Sequence, residues 1–502
     1  MGFYDNMQSQ INKQKTVTTN GAVAYRSSGK TLLDFNFAVS AMRNVPDMKI
    51  YNDFMPVFFE DRLRAVQYAF YLGDVREGLG ERKAFRACLA YLINEQPDIA
   101  KKVMPLVPFY NRWDSILLYL DCLETRHEVA MFIKKQLKQD KRDAKAGKPI
   151  SLCAKWMPSI NASSDKARLR ARILCSEFGW TLRKYRKTLA KLRKYLDVTE
   201  VKMSGKKWGE INYETVPSKA NLIYNCAFLR NDESRRRKYL DSLSKGDAKI
   251  NASTLNPHEI CLKYRTRVWN SKGVDATLEA LWKALPNLSV ENTLIVRDGS
   301  GSMTWSGFGG NATPLDVATA MAIYMAEHNT GGWKDKFVTF SANPKIVDLS
   351  NCKTLKDKVA LSLKEADCSN TDIYKTMKLI LSTAVYNKMS AEEMPKMIVI
   401  CSDMQFDGRR FNFTGSLFDN IAKMFKEAGY QMPRICFWNL NGAISKTVPM
   451  QKNESGLILC SGFSVQILKM FMSNQVDPYK VLLETLDSER YKPIKEIVGD
   501  LL

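Results

Sequence analysis

Residues 294–305 read LIVRDGSGSMTW. A short apolar run ends in an acid, and two serines follow at alternate positions with glycines between: Asp298, Ser300 and Ser302. A loop that needs only flexibility has no use for three oxygen side chains in alternation. A loop that must turn three oxygen donors towards one hard cation does. Mg²⁺ takes oxygen ligands in near-octahedral geometry and keeps several waters. One carboxylate and two hydroxyls suit it, and the motif holds no His or Cys, which argues against zinc. A plain Gly/Ser turn at a strand end is the competing reading of these residues taken alone.

The surrounding elements favour a site. From about Val290 onward, apolar runs alternate with helical periodicity. NTLIVRD reads as a strand, and ATPLDVATAMAIYMAEHN as a helix capped by Thr313 and Pro314. DKFVTFSANPKIVDL reads as two strands around a turn, and TDIYKTMKLILSTAVYN as a helix. MPKMIVICSDM is a strand, SLFDNIAKMFKEAGY a helix ending at glycine, and RICFWNLNG and GLILCSGFS two further strands. FSVQILKMF begins another helix. Strands alternating with helices predict a mostly parallel sheet covered on both faces. Ligands bind such sheets beyond the C-terminal strand ends. Asp298 and Asp403 both fall at such ends.

The first half of the chain reads differently. Residues 1–50 begin polar and form an arm or loop that orders on docking. Between about Tyr51 and Val290 the pattern is helical, as in RLRAVQYAFYLGDV and AFRACLAYLINEQ, and strand patterns are scarce. The expected architecture is therefore α plus α/β: a stack of antiparallel helices, HEAT-like in style, then a doubly wound sheet. The expected segments are an arm (1–50), a basic helical domain (51–290), a sheet domain (291–470) and a helical tail (471–502).

Charge divides along the same line. Residues 291–502 hold 24 Lys+Arg against 23 Asp+Glu, whereas residues 1–290 hold 51 against 30. A basic domain joined to a neutral one predicts a polyanionic partner for the first. The run at 166–195 contains one acid, Glu177. It carries Arg168, Arg170, Arg172, Arg183, Arg186, Lys187, Lys191 and Lys194, of which the last five share one helix flank. Such a flank binds phosphates by counterion release, without reading sequence. Trp180, Tyr185 and Tyr195 lie among these cations, and any that are exposed can stack on bases. The competing reading packs the aromatics inward and leaves the lysines solvated. Arg235, Arg236 and Arg237 form a second, weaker basic candidate.

D-G-S-G-S at 298–302 resembles the DxSxS core of von Willebrand factor A domains. The resemblance implies a metal-ion-dependent adhesion site in which Ser300, Ser302 and Thr371 bind Mg²⁺, or another hard divalent cation, directly. Asp298 and Asp403 then act directly or through water, and one position stays open for an acidic ligand. Arg297 departs from the pattern, since that family places an apolar residue there; its expected position is the site's rim. A helical domain followed by an A domain resembles Ro-type RNA-binding proteins, whose helical repeats (the TROVE module) form a ring. A family of the same two-part organisation resembles the chain more closely, through REGLGERKAF (76–85), FYNRWDSILLYL (109–120), AKWMPSINAS (154–163) and the stretch at 208–260. The resemblance implies an RNA-binding ribonucleoprotein component that takes single-stranded or small structured RNA. The alternative is an Mg²⁺-dependent adaptor that grips an acidic residue of a protein partner.

No catalytic constellation is read from the sequence. GxxxxGK[ST] does not occur, and DGSGS lacks the leading glycine of a nucleophile elbow. A two-metal nuclease needs clustered carboxylates where this motif offers hydroxyls. Glu77 and Glu81 have Arg76 and Arg82 as neighbours, which predicts salt bridges. No apolar stretch is long enough to span a membrane, and the N-terminus lacks a secretory signal pattern. Asn6 stands where a myristoylation pattern wants Ser or Thr. Eleven scattered cysteines without a CxxC pair predict reduced thiols in a cytoplasmic protein.

Overall fold

Asp298 lies at the C-terminal edge of β3 (Thr293–Asp298), the strand on which the sheet turns. In this computed structural model residues 15–17, 23–269, 273–287, 292–304, 312–366, 371–404, 417–440, 457–472, 475 and 477–499 are described. They divide into two compact units.

The first unit comprises residues 1–46 and 252–485. A short antiparallel pair, β1 (Lys15–Val17) and β2 (Val23–Tyr25), lies near the N-terminus. The main sheet adds β4 (Lys336–Phe340), β5 (Ile346–Asp348), β6 (Met397–Ser402), β7 (Arg434–Asn439) and β8 (Leu457–Ser461) to β3. The strand order is β5-β4-β3-β6-β7-β8, parallel except for the β4–β5 hairpin. Chain order thus runs outward in one direction from β3 and in the other from β6. The boundary between β3 and β6 is the topological switch point, where ligands of open α/β sheets bind. Every residue of β3 and β6 is buried, as expected of central parallel strands covered on both faces. Thr313 caps the helix Pro314–His328 through a reciprocal capping box with Asp316. One further helix, Leu355–Lys364, was not legible in the alternation. The segment after Phe463 forms a 3₁₀ helix, Val465–Met472, rather than an α-helix.

Two segments belong to this unit rather than to those the sequence predicted. The helix Thr31–Phe37 packs on β8. There the Ser40 hydroxyl donates to the Asn439 carbonyl at 2.9 Å and the Asn439 amide to the Phe37 carbonyl at 2.9 Å. The helices Pro257–Trp269 and Ala276–Lys283 also join the sheet unit, through the Arg265–Asp316 pair at 2.7 Å and the Trp282 indole donating to Glu327 at 2.7 Å. Their helical period alone does not say which core they enter.

The second unit comprises residues 47–251 and 486–502. Helices Asp47–Glu60, Arg62–Gly73 and Arg82–Glu95 pack on one another, and Leu123–Lys145 packs on Asp165–Phe178 and Leu182–Tyr195. Thr181 opens the last of these by accepting from the Lys184 amide, and Gly179 ends the one before in a left-handed turn at φ +61°. The stretch 109–120 falls in a one-turn helix, Val107–Tyr110, and a 3₁₀ helix, Trp113–Asp121.

The REGLGERK turn wraps the wholly buried carboxylate of Asp74. A side chain at Gly78 would meet the Tyr71 carbonyl at 2.1 Å, so only glycine fits. Arg490 donates to Asp74 through Nε at 2.8 Å and Nη2 at 2.9 Å, and the Tyr491 hydroxyl adds a bond at 3.2 Å. Glu77 pairs with Arg490 rather than with Arg76, and Arg82 pairs with Asp114. Replacing Arg490 with Ala leaves a buried carboxylate without its cation, so Arg490→Ala should cost about 3–5 kcal/mol in urea unfolding of the helical unit. A loss under about 1 kcal/mol would show the pair to be solvent-screened.

Candidate functional sites: a hydroxyl-rich metal centre and a cationic cleft

Pairing of β3 with β6 sets Arg297 opposite Cys401, so Asp298 comes level with Ser402. The Asp298 carboxylate is wholly buried. It accepts from the Ser300 amide at 2.9 Å on one oxygen and from the Ser402 hydroxyl at 2.5 Å on the other. Ser300 Oγ and Ser302 Oγ lie 3.1 Å apart. Asp403, the residue after β6, is buried to 1% exposure. Burial first, and then the charge of Asp403, push Asp298 up to about 6, against the pull of its bonds to Ser402 and Ser300. Two carboxylates that feel each other in a dry setting favour a cation between them. Thr371 is also buried, one residue before Asp372, which caps the helix Ile373–Tyr386.

Asp298, Ser300, Ser302 and Asp403 thus gather at the switch point. Among the described residues no group of three or more His, Cys, Asp or Glu side chains forms a cation cage. The donors here are instead two carboxylates and hydroxyls, a hard oxygen set that fits Mg²⁺ and leaves room for water. Ser402, which sequence reasoning does not single out although it stands beside Asp403, holds Asp298 through its hydroxyl.

Arg297 does not line the rim. Alternation along β3 turns it to the opposite face from Asp298. It is wholly buried over the Phe337 ring, 5.3 Å from the centroid, and donates to the carbonyls of Ser362 at 2.6 Å and Glu365 at 2.8 Å. Burial pulls its guanidinium down to about 10. The group satisfies carbonyls at the C-terminal end of the helix Leu355–Lys364, where a cation also meets the helix dipole. Arg297→Leu should destabilise the sheet unit by about 1–3 kcal/mol for each emptied acceptor. An unchanged melting temperature would remove Arg297 from the list of anchors.

The helical unit carries 44 Lys+Arg against 29 Asp+Glu. Its cations fall into two groups. Some are structural. Arg170 is buried and forks onto Asp121 at 3.1 and 2.6 Å, and Arg168 binds the Ala162 and Ser163 carbonyls and Asp165. Arg236 is fully buried near the rings of Tyr213, Phe228 and Tyr239, while Arg235 binds the Trp208 and Ile211 carbonyls and Arg237 pairs with Glu233. Arg170 and Arg236 are therefore core rather than open cations, contrary to expectation, while Arg235 and Arg237 stay exposed, each beside one acid. Tyr185 is likewise core, its hydroxyl donating to the Pro158 carbonyl at 2.9 Å.

Five exposed cations line a cleft of about 420 Å³ between the helices Leu123–Lys145 and Leu182–Tyr195. Its walls carry Lys141, Arg183, Lys184, Lys187 and Lys191. All five are exposed, and among the described residues none pairs with an acid. Leu189 and Leu192 on the same helix are buried, so the helix is fixed by its apolar side and offers its cations to solvent. Of the expected flank, Arg183, Lys187 and Lys191 meet in the cleft. Arg172, Arg186 and Lys194 are exposed but do not line it. Sequence reasoning does not single out Lys141 and Lys184: Lys184 sits one step off the expected row, and Lys141, 43 residues before it, arrives from another helix, which no local pattern reveals. Lys184 also lies 4.9 Å from the Trp180 ring centroid.

Residues 292–495 match a family described as a domain of unknown function (DUF7788), and residues 176–287 match a second domain of unknown function (DUF2828). Over 519 residues the chain is 30% identical to "Uncharacterized protein L728" of Acanthamoeba polyphaga mimivirus, with 95% of this chain and 88% of that protein covered.

Proposed function

The chain belongs to the family of this mimivirus protein, and we propose that it is an RNA-binding protein, a ribonucleoprotein component that holds RNA on its basic helical unit. The observation that carries the reading is the cleft whose walls bear five cations and, among the described residues, no paired acid. Clustered, unneutralised cations repel one another, and a phosphate-bearing partner removes that cost by releasing counterions. In the proposal the helical unit is HEAT-like in the manner of Ro-type proteins, and the sheet unit is of the von Willebrand A type. The switch-point position of Asp298, Ser300, Ser302 and Asp403 supports the second assignment.

Mg²⁺ is the proposed cofactor. Ser300, Ser302 and Thr371 would hold it, with Asp298 and Asp403 balancing its charge. The bound ion supplies an electrophilic position for one anionic oxygen, from an RNA phosphate or a protein carboxylate. Ser402 and the Ser300 amide keep Asp298 oriented for this task. The proposed role is binding, not catalysis. A reducing, cytoplasmic setting is proposed from the ten described cysteines, all free thiols; no described helix is long and apolar enough to cross a membrane.

Fluorescence anisotropy of a short single-stranded RNA across salt, at fixed Mg²⁺, tests the reading. Submicromolar binding is expected, with a log–log salt slope of about −0.7 for each phosphate contact. Absence of binding at low salt would refute it. Mg²⁺-dependent, RNase-insensitive capture of an acidic protein would then favour the adaptor reading.

A further inference from the structure

The cationic cleft has a property that a strip of backbone phosphates does not require. Its cations converge on one small space from two helices: Lys141 from one wall, and Arg183, Lys184, Lys187 and Lys191 from the other. Thr181 and Thr188 add two hydroxyls to the same lining. Thr181 also begins the helix Leu182–Tyr195, so the positive end of a 14-residue helix dipole opens on the cleft. Arg186 and Lys194, on the same helix, stay outside. A surface that tracks a strand spreads its charges along a stripe. Here a row of four on one helix is faced by Lys141 from another, across a concavity of about 420 Å³, the size of a small-molecule site.

Charge density then selects the ligand. A nucleotide within a strand brings one negative charge together with a sugar and a base, which take most of its volume. Linked phosphates bring about one charge for each phosphorus and no such bulk. Five cations in one small cleft call for the second kind of anion. The lysines bind it as point charges, and Arg183 adds a planar fork for two oxygens of one phosphate.

We propose that the cleft between the helices Leu123–Lys145 and Leu182–Tyr195 is a seat for a chain of linked phosphates, as carried by the 5′-triphosphate end of an RNA. The polyphosphate chemistry stands on the cleft itself; the RNA end as its source rests on the RNA-binding reading above. The same chemistry is offered by a free nucleoside triphosphate.

The test uses the full chain in EDTA, so that the metal site takes no part. Titration calorimetry compares inorganic tripolyphosphate with inorganic phosphate. Anisotropy compares one short RNA carrying a 5′-triphosphate, a 5′-monophosphate or a 5′-hydroxyl. The variants are Lys187→Gln with Lys191→Gln, and Arg172→Gln as an exposed cation outside the cleft. Tripolyphosphate should bind at least about tenfold tighter than phosphate, the triphosphate RNA at least about tenfold tighter than the hydroxyl RNA, and both preferences should vanish in the double variant alone. Tripolyphosphate binding without any preference among the RNA ends would keep the polyphosphate seat and overturn the RNA end as its source. Equal binding of all three RNAs, uncontested by tripolyphosphate, would overturn the seat and leave RNA binding intact. Tripolyphosphate binding with no RNA binding would keep the seat and overturn the RNA reading. Binding of neither would overturn both.

Discussion

Combined replacement of Arg183, Lys187 and Lys191 by Glu lowers the affinity for a short single-stranded RNA by at least about a hundredfold near 0.1 M salt. Each phosphate contact to a single strand contributes about 0.7 to the log–log salt slope, so three contacts contribute about 2 decades between 1 M and 0.1 M. Reversal adds repulsion to that loss. The slope itself should fall by about 2, a signature that unfolding would not give. The fold should survive, because all three side chains are exposed and the helix is held by the buried Tyr185, Leu189 and Leu192. Arg172→Glu serves as the comparison, being an exposed cation outside the cleft. If the triple variant binds as wild type does, the cleft is not where RNA is held.

The second large effect concerns the proposed metal centre. Wild-type protein should gain thermal stability in Mg²⁺, because a ligand that binds only the native state adds RT ln(1 + [L]/Kd), about 2.7 kcal/mol at a hundredfold excess over Kd. Asp298→Ala should abolish that gain. It removes one of the two buried carboxylates and strands the Ser402 hydroxyl and the Ser300 amide, which now donate to it. Without Mg²⁺ the stranded donors cost about 1–3 kcal/mol, and relief of the burial and Asp403 repulsion that raise the Asp298 pKa acts the other way. Two readings therefore separate the roles: stability without Mg²⁺ reports the balance of these two, and the Mg²⁺-dependent increment reports the ion. An increment that survives in Asp298→Ala would place the ion elsewhere.

Much of the sheet unit could be read in advance because its signals are local. The strands at 293–298, 397–402 and 434–439 are apolar runs bounded by turn residues, and they have no other way to bury their surface. DGSGS and ICSDM announced their carboxylates by position, since parallel strands send their C-terminal ends to one edge. What failed depended on distant partners. Arg236 looks like its neighbours in a run of three arginines, yet it alone of the three is buried, among the rings of Tyr213, Phe228 and Tyr239. Arg170 became structural because Asp121 stands opposite it, 49 residues away. Arg297 looked like a rim residue until the helix Leu355–Lys364 supplied carbonyls for it. A guanidinium is read correctly only when its acceptors are known, and for buried arginines those lie far along the chain.

The bond from Arg490 to Asp74 spans 416 residues. During synthesis a chain emerges N-terminus first, and units fold as their parts become available. Residues 47–251 leave the ribosome before the sheet unit's 252–485, and the cation for their buried acid comes only after it. The sheet unit, complete by Thr485, can close before the helical unit that precedes it. A nascent chain that has not yet reached Arg490 holds Asp74 without its counter-ion, so the helical unit matures only after the sheet unit has been made.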